Sequence, residues 1–460
     1  MIVKQVYCRS WAKVVTSRYF SKCTSTPVLP KGSFLHRINE HFTPIAEADP
    51  EFDIAALARS VERRGLTEVF PSEYLERLDK QARDIRAYEK ELQHIEARRL
   101  RLHDEYQEAS SSGNAALQDQ LRAASKLIKK EKNKLKELHR TLAFNVMEDL
   151  LKLPNRLREA ECSLPPETLF SQTSTPTSLQ DAIRATDLDT SIVNKDCGTY
   201  YTGKLADFRH EMSRLLAVIS GEVEKAMGTP ALRCSLSDFV RLPVAEACAW
   251  TPSLDEVIQI QHTKDDVIIP KPGDQPLINP YTRLCLVGSA SLAAFAGSFF
   301  NGCLNKEARL PLRFLTVGNI YNYGPPSRQM SYPFKQTLQI SFFGLDSDEY
   351  SSAATCDNLV TVIGKFWSRA QPHWNLRLHT VSVGELRKCE MSRWRLALAE
   401  PGKPEVELAS VSLLGDWVSR RAAFKLETGG FPFMVFGSLV NFESLLSAIR
   451  TSGVYIPTSQ

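Results

Sequence analysis

Apolar residues recur every three or four positions along two consecutive stretches in the first third of the chain. This spacing is typical of amphipathic helices, and the polar run at 110–114 between them marks a turn. The pattern predicts an antiparallel helical hairpin over about residues 72–153, beginning with Ser72 as N-cap and about 50 Å long. The first stripe consists of Leu75, Leu78, Ala82, Ile85, Leu92 and Ile95, and the second of Leu117, Leu121, Ala124, Ile128, Leu135, Leu138, Leu142 and Val146.

The rest of the chain mixes helical patterns with short strand candidates at 314–317, 337–343 and 433–436. Such mixing predicts an α+β domain over 197–460, with a mostly antiparallel sheet and flanking helices. Residues 156–196 are rich in Ser, Thr and Pro and read as a linker. The chain has no G-x-G-x-x-G or G-x-x-x-x-G-K motif, so a dinucleotide-binding fold and a P-loop have no sequence support.

The first 39 residues differ from the rest in charge, because the first acidic residue is Glu40. A basic, acid-free and amphipathic start is typical of a mitochondrial transit peptide. We therefore predict a transit peptide at 1–39, a mitochondrial matrix location, and an N-terminal domain at 40–155. The alternative is a disordered basic arm that binds nucleic acid. The basic residues of this segment are Lys4, Arg9, Lys13, Arg18, Lys22, Lys31 and Arg37.

Charge is concentrated locally once this segment is set aside. Residues 1–39 hold seven of the 57 basic residues and none of the 53 acidic ones, so the remainder has a net charge of about −3. The second hairpin helix is nevertheless strongly basic, which indicates an RNA-backbone site with phosphate contacts. The alternative is a solvated coiled-coil face. The candidate residues are Arg122, Lys126, Lys129, Lys130, Lys132, Lys134, Lys136 and Arg140.

Neither a metal site nor a membrane span has support in the sequence. The ten cysteines are scattered without a C-x-x-C pair, which favours reduced thiols over a zinc site or a disulfide framework. No stretch approaches the 18 apolar residues of a membrane helix.

Several segments resemble seryl-tRNA synthetases in order and spacing, from about residue 70 to the C-terminus. The helical hairpin ahead of an antiparallel α+β domain is also the layout of that family. The resemblance implies a class II synthetase fold. The matching segments are Leu153-Pro154-Asn155, Asp238–Arg241, Leu310–Arg313, Glu407–Ser412, Asp416–Arg421 and Tyr455–Pro457.

The same resemblance implies that the chemistry is lost. In the family an acid binds the serine amine, and arginines bind the phosphates of ATP with a magnesium ion. Here the corresponding positions are Ser291, Tyr321, Tyr323, Pro333 and Glu443, while Gln336, Glu407 and Ser410 are retained. Losing the partner of a buried charge typically costs about 2–5 kcal/mol, so we predict no activity, no cofactor and no metal. The alternative is that Arg309, Arg313 and Arg328 form a relocated phosphate clamp.

The degenerate motifs resemble those of a non-aminoacylating mitochondrial paralogue known from insects, which implies a binding or regulatory role. An amphipathic stretch at 208–227 resembles the family's dimer helix, with Leu215, Leu216, Val218 and Ile219 as candidate interface residues. The family's motif 1 proline is Ser237 here. We therefore predict a heterodimer with the active mitochondrial seryl-tRNA synthetase. The alternatives are a stand-alone tRNA- or nucleic-acid-binding protein and a weak or repurposed ATP-dependent amino-acid ligase.

Overall fold

The structure is a computed structural model with nine α-helices and nineteen strands in the residues it describes. It describes residues 54–111, 113–158, 167–170, 183–184, 192–194, 198–249, 258–259, 267–268, 277–279, 282–305, 307–323 and 334–455. The predicted transit peptide at 1–39 therefore lies outside the described residues. No helix in these ranges combines the length and the apolar character needed to cross a bilayer.

The helices are α1 (Ile54–Arg63), α2 (Ser72–Ser111), α3 (Ala115–Lys152), α4 (Lys204–Met227), α5 (Leu242–Ala247), α6 (Leu292–Phe299), α7 (Glu349–Ala370), α8 (Trp417–Arg421) and α9 (Phe442–Ser452). The strands are β1 (Glu167–Phe170), β2 (Ile183–Arg184), β3 (Ile192–Asn194), β4 (Gly198–Tyr200), β5 (Ala231–Arg233), β6 (Phe239–Arg241), β7 (Ile258–Gln259), β8 (Val267–Ile268), β9 (Leu277–Ile278), β10 (Leu284–Leu286), β11 (Cys303–Leu304), β12 (Leu312–Tyr323), β13 (Phe334–Asp346), β14 (Leu376–Thr380), β15 (Ser392–Leu398), β16 (Val406–Gly415), β17 (Lys425–Leu426), β18 (Phe433–Asn441) and β19 (Val454–Tyr455).

The predicted hairpin is formed by α2 and α3, which run antiparallel. The helices have 40 and 38 residues, so the arm is about 60 Å long and exceeds the sequence-based length. The apolar stripe of α2 ends near Leu102, but the Glu, Gln and Ala that follow are good helix formers and extend the helix. Ser72 is the first helical residue instead of the N-cap. Asn114 caps α3 by accepting a hydrogen bond from the Leu117 amide.

An eight-stranded, mostly antiparallel sheet forms the second domain, in the order β1-β14-β15-β16-β18-β13-β12-β5. The pairing of β5 with β12 is parallel. The strands predicted at 314–317, 337–343 and 433–436 lie within β12, β13 and β18. The fold class predicted from the sequence is therefore confirmed.

The predicted linker at 156–196 contains an edge strand of this sheet, since β1 pairs with β14. The Ser, Thr and Pro around β1 conceal a short strand whose pairing partner lies some 200 residues further along the chain. Residues 167–170 of the predicted linker therefore form part of the sheet.

Successive residues of a strand point to opposite sides of the sheet, so both faces carry apolar side chains. Helices cover both faces. Ile340 and Phe342 of β13 pack in a core with residues of α4, α7 and α9. Phe343 and Leu345 pack in a second core with residues of α5, α6 and α8.

The arm is fastened to the sheet domain just after α3 ends. The Asn155 side chain donates to the carbonyls of Cys389 and Leu414, at 2.8 Å each. Arg64, which follows α1, donates to the carbonyls of Glu390 at 2.5 Å and Asn155 at 3.3 Å. The base of the arm therefore holds the loop at 386–391.

Candidate functional site

A row of polar side chains crosses the central strands of the large sheet. In the strand register, each residue of the row pairs with the next one on the neighbouring strand. From β15 to β12, the row consists of Arg395, Ser410, Ser438, Ser341 and Thr316. Positions two residues along a strand lie on the same face. The row therefore shares the face that carries the second core.

A cavity of about 160 Å³ opens beside this row. Its floor comes from β13, β16 and β18, and one edge comes from the loop at 386–391 that the arm holds. The lining residues are Ile320, Gln339, Arg387, Glu390, Arg393, Glu407, Leu408, Ser410, Ser412, Phe436, Ser438, Asn441 and Ser444.

One carboxylate of the cavity, Glu407, pairs with one of the two arginines that line it. Arg393 donates to a Glu407 oxygen at 2.7 Å and to the Ser410 hydroxyl at 3.3 Å, and only 13% of its side chain is exposed. The other Glu407 oxygen lies 2.8 Å from Nε of Arg395. Glu407 therefore contacts both arginines of this wall, and Arg395 also pairs with Glu385 at 3.3 Å.

Glu390 is the buried carboxylate of the cavity, with 1% exposure. One of its oxygens accepts a hydrogen bond from the Ser412 hydroxyl at 2.7 Å, and the other accepts from the Arg387 amide, also at 2.7 Å. Both oxygens thus have donors within the protein. With two arginines and two glutamates on its lining, the cavity is formally neutral.

Sequence comparison gives no relative of this chain: no protein-family model matches it, and no curated protein matches it at a significant level. Solved structures do match. The cytoplasmic serine–tRNA ligase of Naegleria fowleri in complex with AMP has a TM-score of 0.57 at 14% identity, over 86% of this chain and 90% of that one. The seryl-tRNA synthetase of Pyrococcus horikoshii complexed with ATP has a TM-score of 0.56 at 15% identity, over 89% and 98%.

The fold is that of a seryl-tRNA synthetase. At such low identity the likeness establishes architecture alone.

Ser291 occupies the position where the resemblance places the serine-binding acid of the seryl-tRNA synthetases. Here it is fully buried, and its hydroxyl accepts a hydrogen bond from the Ala294 amide as the N-cap of α6. The side chain thus satisfies a helix end.

Tyr321 of β12 lies beside the segment between β10 and Ser291, because its amide donates to the Val287 carbonyl at 3.2 Å. Burial raises the pKa of its hydroxyl, and the Asp238 carboxylate raises it further. The phenol is therefore neutral and offers no positive charge to a phosphate.

Glu443 lies in the first turn of α9, where a carboxylate suits the helix dipole. It accepts a hydrogen bond from the hydroxyl of Tyr201, and Glu443 is not among the residues that line the cavity. Burial and the Glu443 carboxylate raise the pKa of Tyr201 well above its ordinary value. The carboxylate for which the sequence predicts a charge reversal is therefore paired outside the cavity.

The structure places the remaining motif positions as follows. Tyr323 ends β12 with only its backbone described, and Pro333 and Arg328 lie outside the described residues. Arg309 is exposed, whereas Arg313 is 5% exposed and donates to Asp346 at 2.8 Å and to Thr355 at 2.6 Å. Arg313 therefore cannot belong to a phosphate clamp, which corrects that alternative.

Arg387, Glu390 and Arg393 were not singled out from the sequence. The pairing of Arg393 and Arg395 with Glu407 depends on the register of β15 against β16. The alternation of Arg393 and Arg395 around Trp394 was the available signal, since it places both arginines on one strand face.

The basic residues of α3 fall into two groups. Lys132 pairs with Glu96 across the hairpin, and Arg122 donates to the Tyr106 hydroxyl at 2.8 Å. These two contacts join the helices of the arm, and the Arg122 side chain nevertheless remains 60% exposed. The others are exposed: Lys126, Lys129, Lys130, Lys134, Lys136 and Arg140.

The candidate interface on α4 needs correction. Leu215, Leu216 and Ile219 are buried in the first core, and Val218 packs against it. An internal helix shows the same amphipathic pattern as a dimer helix. These four side chains are therefore not a free surface for a partner.

Proposed function

We propose that this protein is a non-catalytic subunit of the mitochondrial matrix that binds RNA and supports an active mitochondrial seryl-tRNA synthetase. The observation that carries the loss of catalysis is the pairing of Arg393 with Glu407 inside the cavity. One terminal nitrogen of Arg393 donates to both Glu407 and Ser410, so this nitrogen is engaged before any phosphate arrives.

A nucleotide would have to separate this pair. Separating this partly buried ion pair costs free energy, and Glu407, whose other oxygen lies 2.8 Å from Nε of Arg395, would face the incoming phosphates. The polyphosphate would meet repulsion at the point where catalysis requires attraction. Arg387 alone on the cavity lining does not offset that.

The first test measures serine-dependent ATP–pyrophosphate exchange together with ATP binding by calorimetry. We expect no exchange above the enzyme-free rate and no measurable ATP binding at millimolar nucleotide. Glu407→Gln frees Arg393, so we expect it to strengthen ATP binding by about tenfold, or ~1.4 kcal/mol. Glu405→Gln removes an exposed partner of Arg377 and serves as the matched control. Exchange by the unaltered protein would refute the proposal and support the ligase alternative.

RNA binding is proposed for a stripe on α3 formed by Arg122, Lys126, Lys129, Lys136 and Arg140. Their separations of four, three, seven and four residues place them on one side of the helix. The stripe extends over eighteen residues, or about 27 Å. Cations repeating along a straight helix can follow a phosphate backbone without reading bases.

The RNA test compares two double variants with equal loss of charge. Lys129→Gln/Lys136→Gln alters the stripe, and Lys130→Gln/Lys134→Gln alters exposed lysines beside it. We expect the first pair to lower the slope of log affinity against log salt by about 1.4 to 1.8, at ~0.7 to 0.9 per lost phosphate contact. The second pair should change it by less than half as much. Equal slopes would show a diffuse basic surface instead of a stripe.

The partner is proposed to dock at β5, which ends the described sheet. An edge strand presents unpaired backbone groups, and Leu232 on it is 50% exposed. Phe239 of β6, in the same motif 1 region of the chain, is 44% exposed. These residues replace the α4 positions as interface candidates.

Co-purification in high salt tests the partnership. We expect the active mitochondrial seryl-tRNA synthetase to remain bound, and Leu232→Asp to release it. Val69→Asp is the control, because Val69 is 62% exposed on the N-terminal domain. Recovery without that synthetase, with RNA binding intact, would favour the stand-alone RNA-binding alternative.

A further inference from the structure

Two leucines of α3 point away from the hairpin into solvent. Leu127 is 70% exposed and Leu138 is 47% exposed. Ile128 and Leu135, which do face α2, are 5% and 8% exposed. Each helical residue is turned by about 100° from the one before. Leu127 therefore lies beside the hairpin contact, on the flank opposite Lys129.

Leu127 and Leu138 belong to a longer stripe with alternating separations of three and four residues. This spacing matches the a and d positions of a heptad, on a second face of a helix that already uses one seam for α2, and the two leucines are its large apolar members. All members except Ala124 are exposed. The stripe consists of Gln120, Ala124, Leu127, Glu131, Lys134, Leu138, Thr141 and Asn145.

This stripe is complementary to itself under two-fold rotation. If a second copy lies antiparallel with its axis midway between 131 and 134, Leu127 faces the partner's Leu138, and Glu131 faces the partner's Lys134. Gln120 then faces an asparagine and Ala124 a threonine. An isologous interface requires this arrangement of the same patch on both subunits.

We propose that this face of the arm is a docking surface for the arm of a second copy of this chain. The opposite charges at 131 and 134 set the antiparallel register, since like charges face each other in any parallel, in-register pairing. Glu131 also lies 3.6 Å from Arg98 of its own hairpin, an exposed pair that leaves the carboxylate accessible.

The proposed docking surface and the RNA stripe lie on different sides of α3. Lys129 and Lys136 follow the buried Ile128 and Leu135 by one residue, whereas Leu127 and Lys134 precede them by one residue. The two surfaces are therefore on opposite flanks of the hairpin contact, and one copy can use both at once. Two leucines per arm make the association weak and dependent on concentration.

The test uses the full chain and cysteine cross-linking with a short bismaleimide. Chains carrying Leu127→Cys are mixed with chains carrying Leu138→Cys, and the linked peptides are mapped by mass spectrometry. We expect links between 127 and 138 in the mixture. Each variant alone is the matched control, because like positions lie eleven residues, about 16 Å, apart in the proposed register. Peptide mapping separates these links from any at the exposed Cys303.

Charge variants then test the register. Glu131→Lys in both chains places lysines opposite Lys134, and we expect the yield of links to fall at least about tenfold. Adding Lys134→Glu to both chains restores opposite charges and should recover the yield. Helical content is checked by circular dichroism, and all altered positions face solvent. Equal yields in the mixture and the single-variant samples, no link at any concentration, or no recovery in the double variant would each overturn the proposal.

Discussion

Arg313 belongs to a segment that resembles a synthetase motif, yet its guanidinium is engaged inside the fold. It donates to Asp346, Thr355 and the Leu345 carbonyl, and both charged side chains are at most 5% exposed. The sequence identifies the motif but not the partners, because Asp346 and Thr355 are 33 and 42 residues away. At the residue scale, the sequence gives the type of a side chain but not its contacts or its burial in the fold.

The Arg313–Asp346 pair should contribute strongly to stability. Asp346→Asn leaves Arg313 buried without a counter-charge, so we expect the free energy of unfolding to fall by about 3–5 kcal/mol in urea titrations. Glu405→Gln breaks the exposed Arg377 pair and should change it by less than ~1 kcal/mol. Similar losses for both variants would contradict this ranking of buried over exposed pairs.

Ser291 and Glu443, two positions singled out by the resemblance, show the same limit. The resemblance implies that charges of the family are replaced at these positions. The structure adds what the two side chains do: one caps α6, and the other accepts a hydrogen bond from Tyr201. Tyr201 is 242 residues from Glu443. No local pattern could have connected them.

The arm is the element that the sequence predicted best, because its stripes are long and regular. Ile95, Ile128 and Leu135 are buried together as expected. The predicted seam residues Leu117 and Leu138 are instead exposed. Helical periodicity alone cannot assign a leucine at the edge of a stripe to one of two faces.

Protection against hydrogen exchange should decrease along the arm. The base contains a cluster that includes Leu78, Ile85 and Val146. Beyond Leu102 the seam has few buried apolar residues, so local opening needs less free energy there. We expect backbone amides of 103–123 to exchange at least about tenfold faster than those of 74–86, as measured by mass spectrometry.

Ile128→Ala should extend fast exchange toward the base, whereas Leu127→Ala, on the exposed flank, should not. Uniform protection along the arm would contradict this view.

The whole molecule depends on the junction between the arm and the sheet domain. Asn155, Arg64 and the loop at 386–391 bring together segments more than 200 residues apart. The sequence contained Asn155 as part of a family-like motif but gave no sign of Arg64. Hydrogen bonds from a side chain to a distant backbone carbonyl cannot be predicted from composition or periodicity, because every residue has a carbonyl.

This junction should make the two domains unfold together. In calorimetry we expect one main transition for the unaltered protein. Arg64→Ala/Asn155→Ala leaves several buried carbonyls without donors and should separate an earlier transition of the N-terminal domain. Arg77→Ala, which removes a 3.9 Å exposed pair on the arm, should retain the single transition. Two transitions in the unaltered protein would show that the domains are independent.

The pairing of Arg393 with Glu407 also has a consequence for the empty protein. An enzyme that must accept a polyphosphate holds like charges close together until its substrate arrives, and it loses stability in that state. In this chain the corresponding region is already compensated by its own carboxylates. Under the proposed function, the ligand-free form is therefore already the relaxed form, and its persistence in a cell should not rise and fall with the supply of nucleotide.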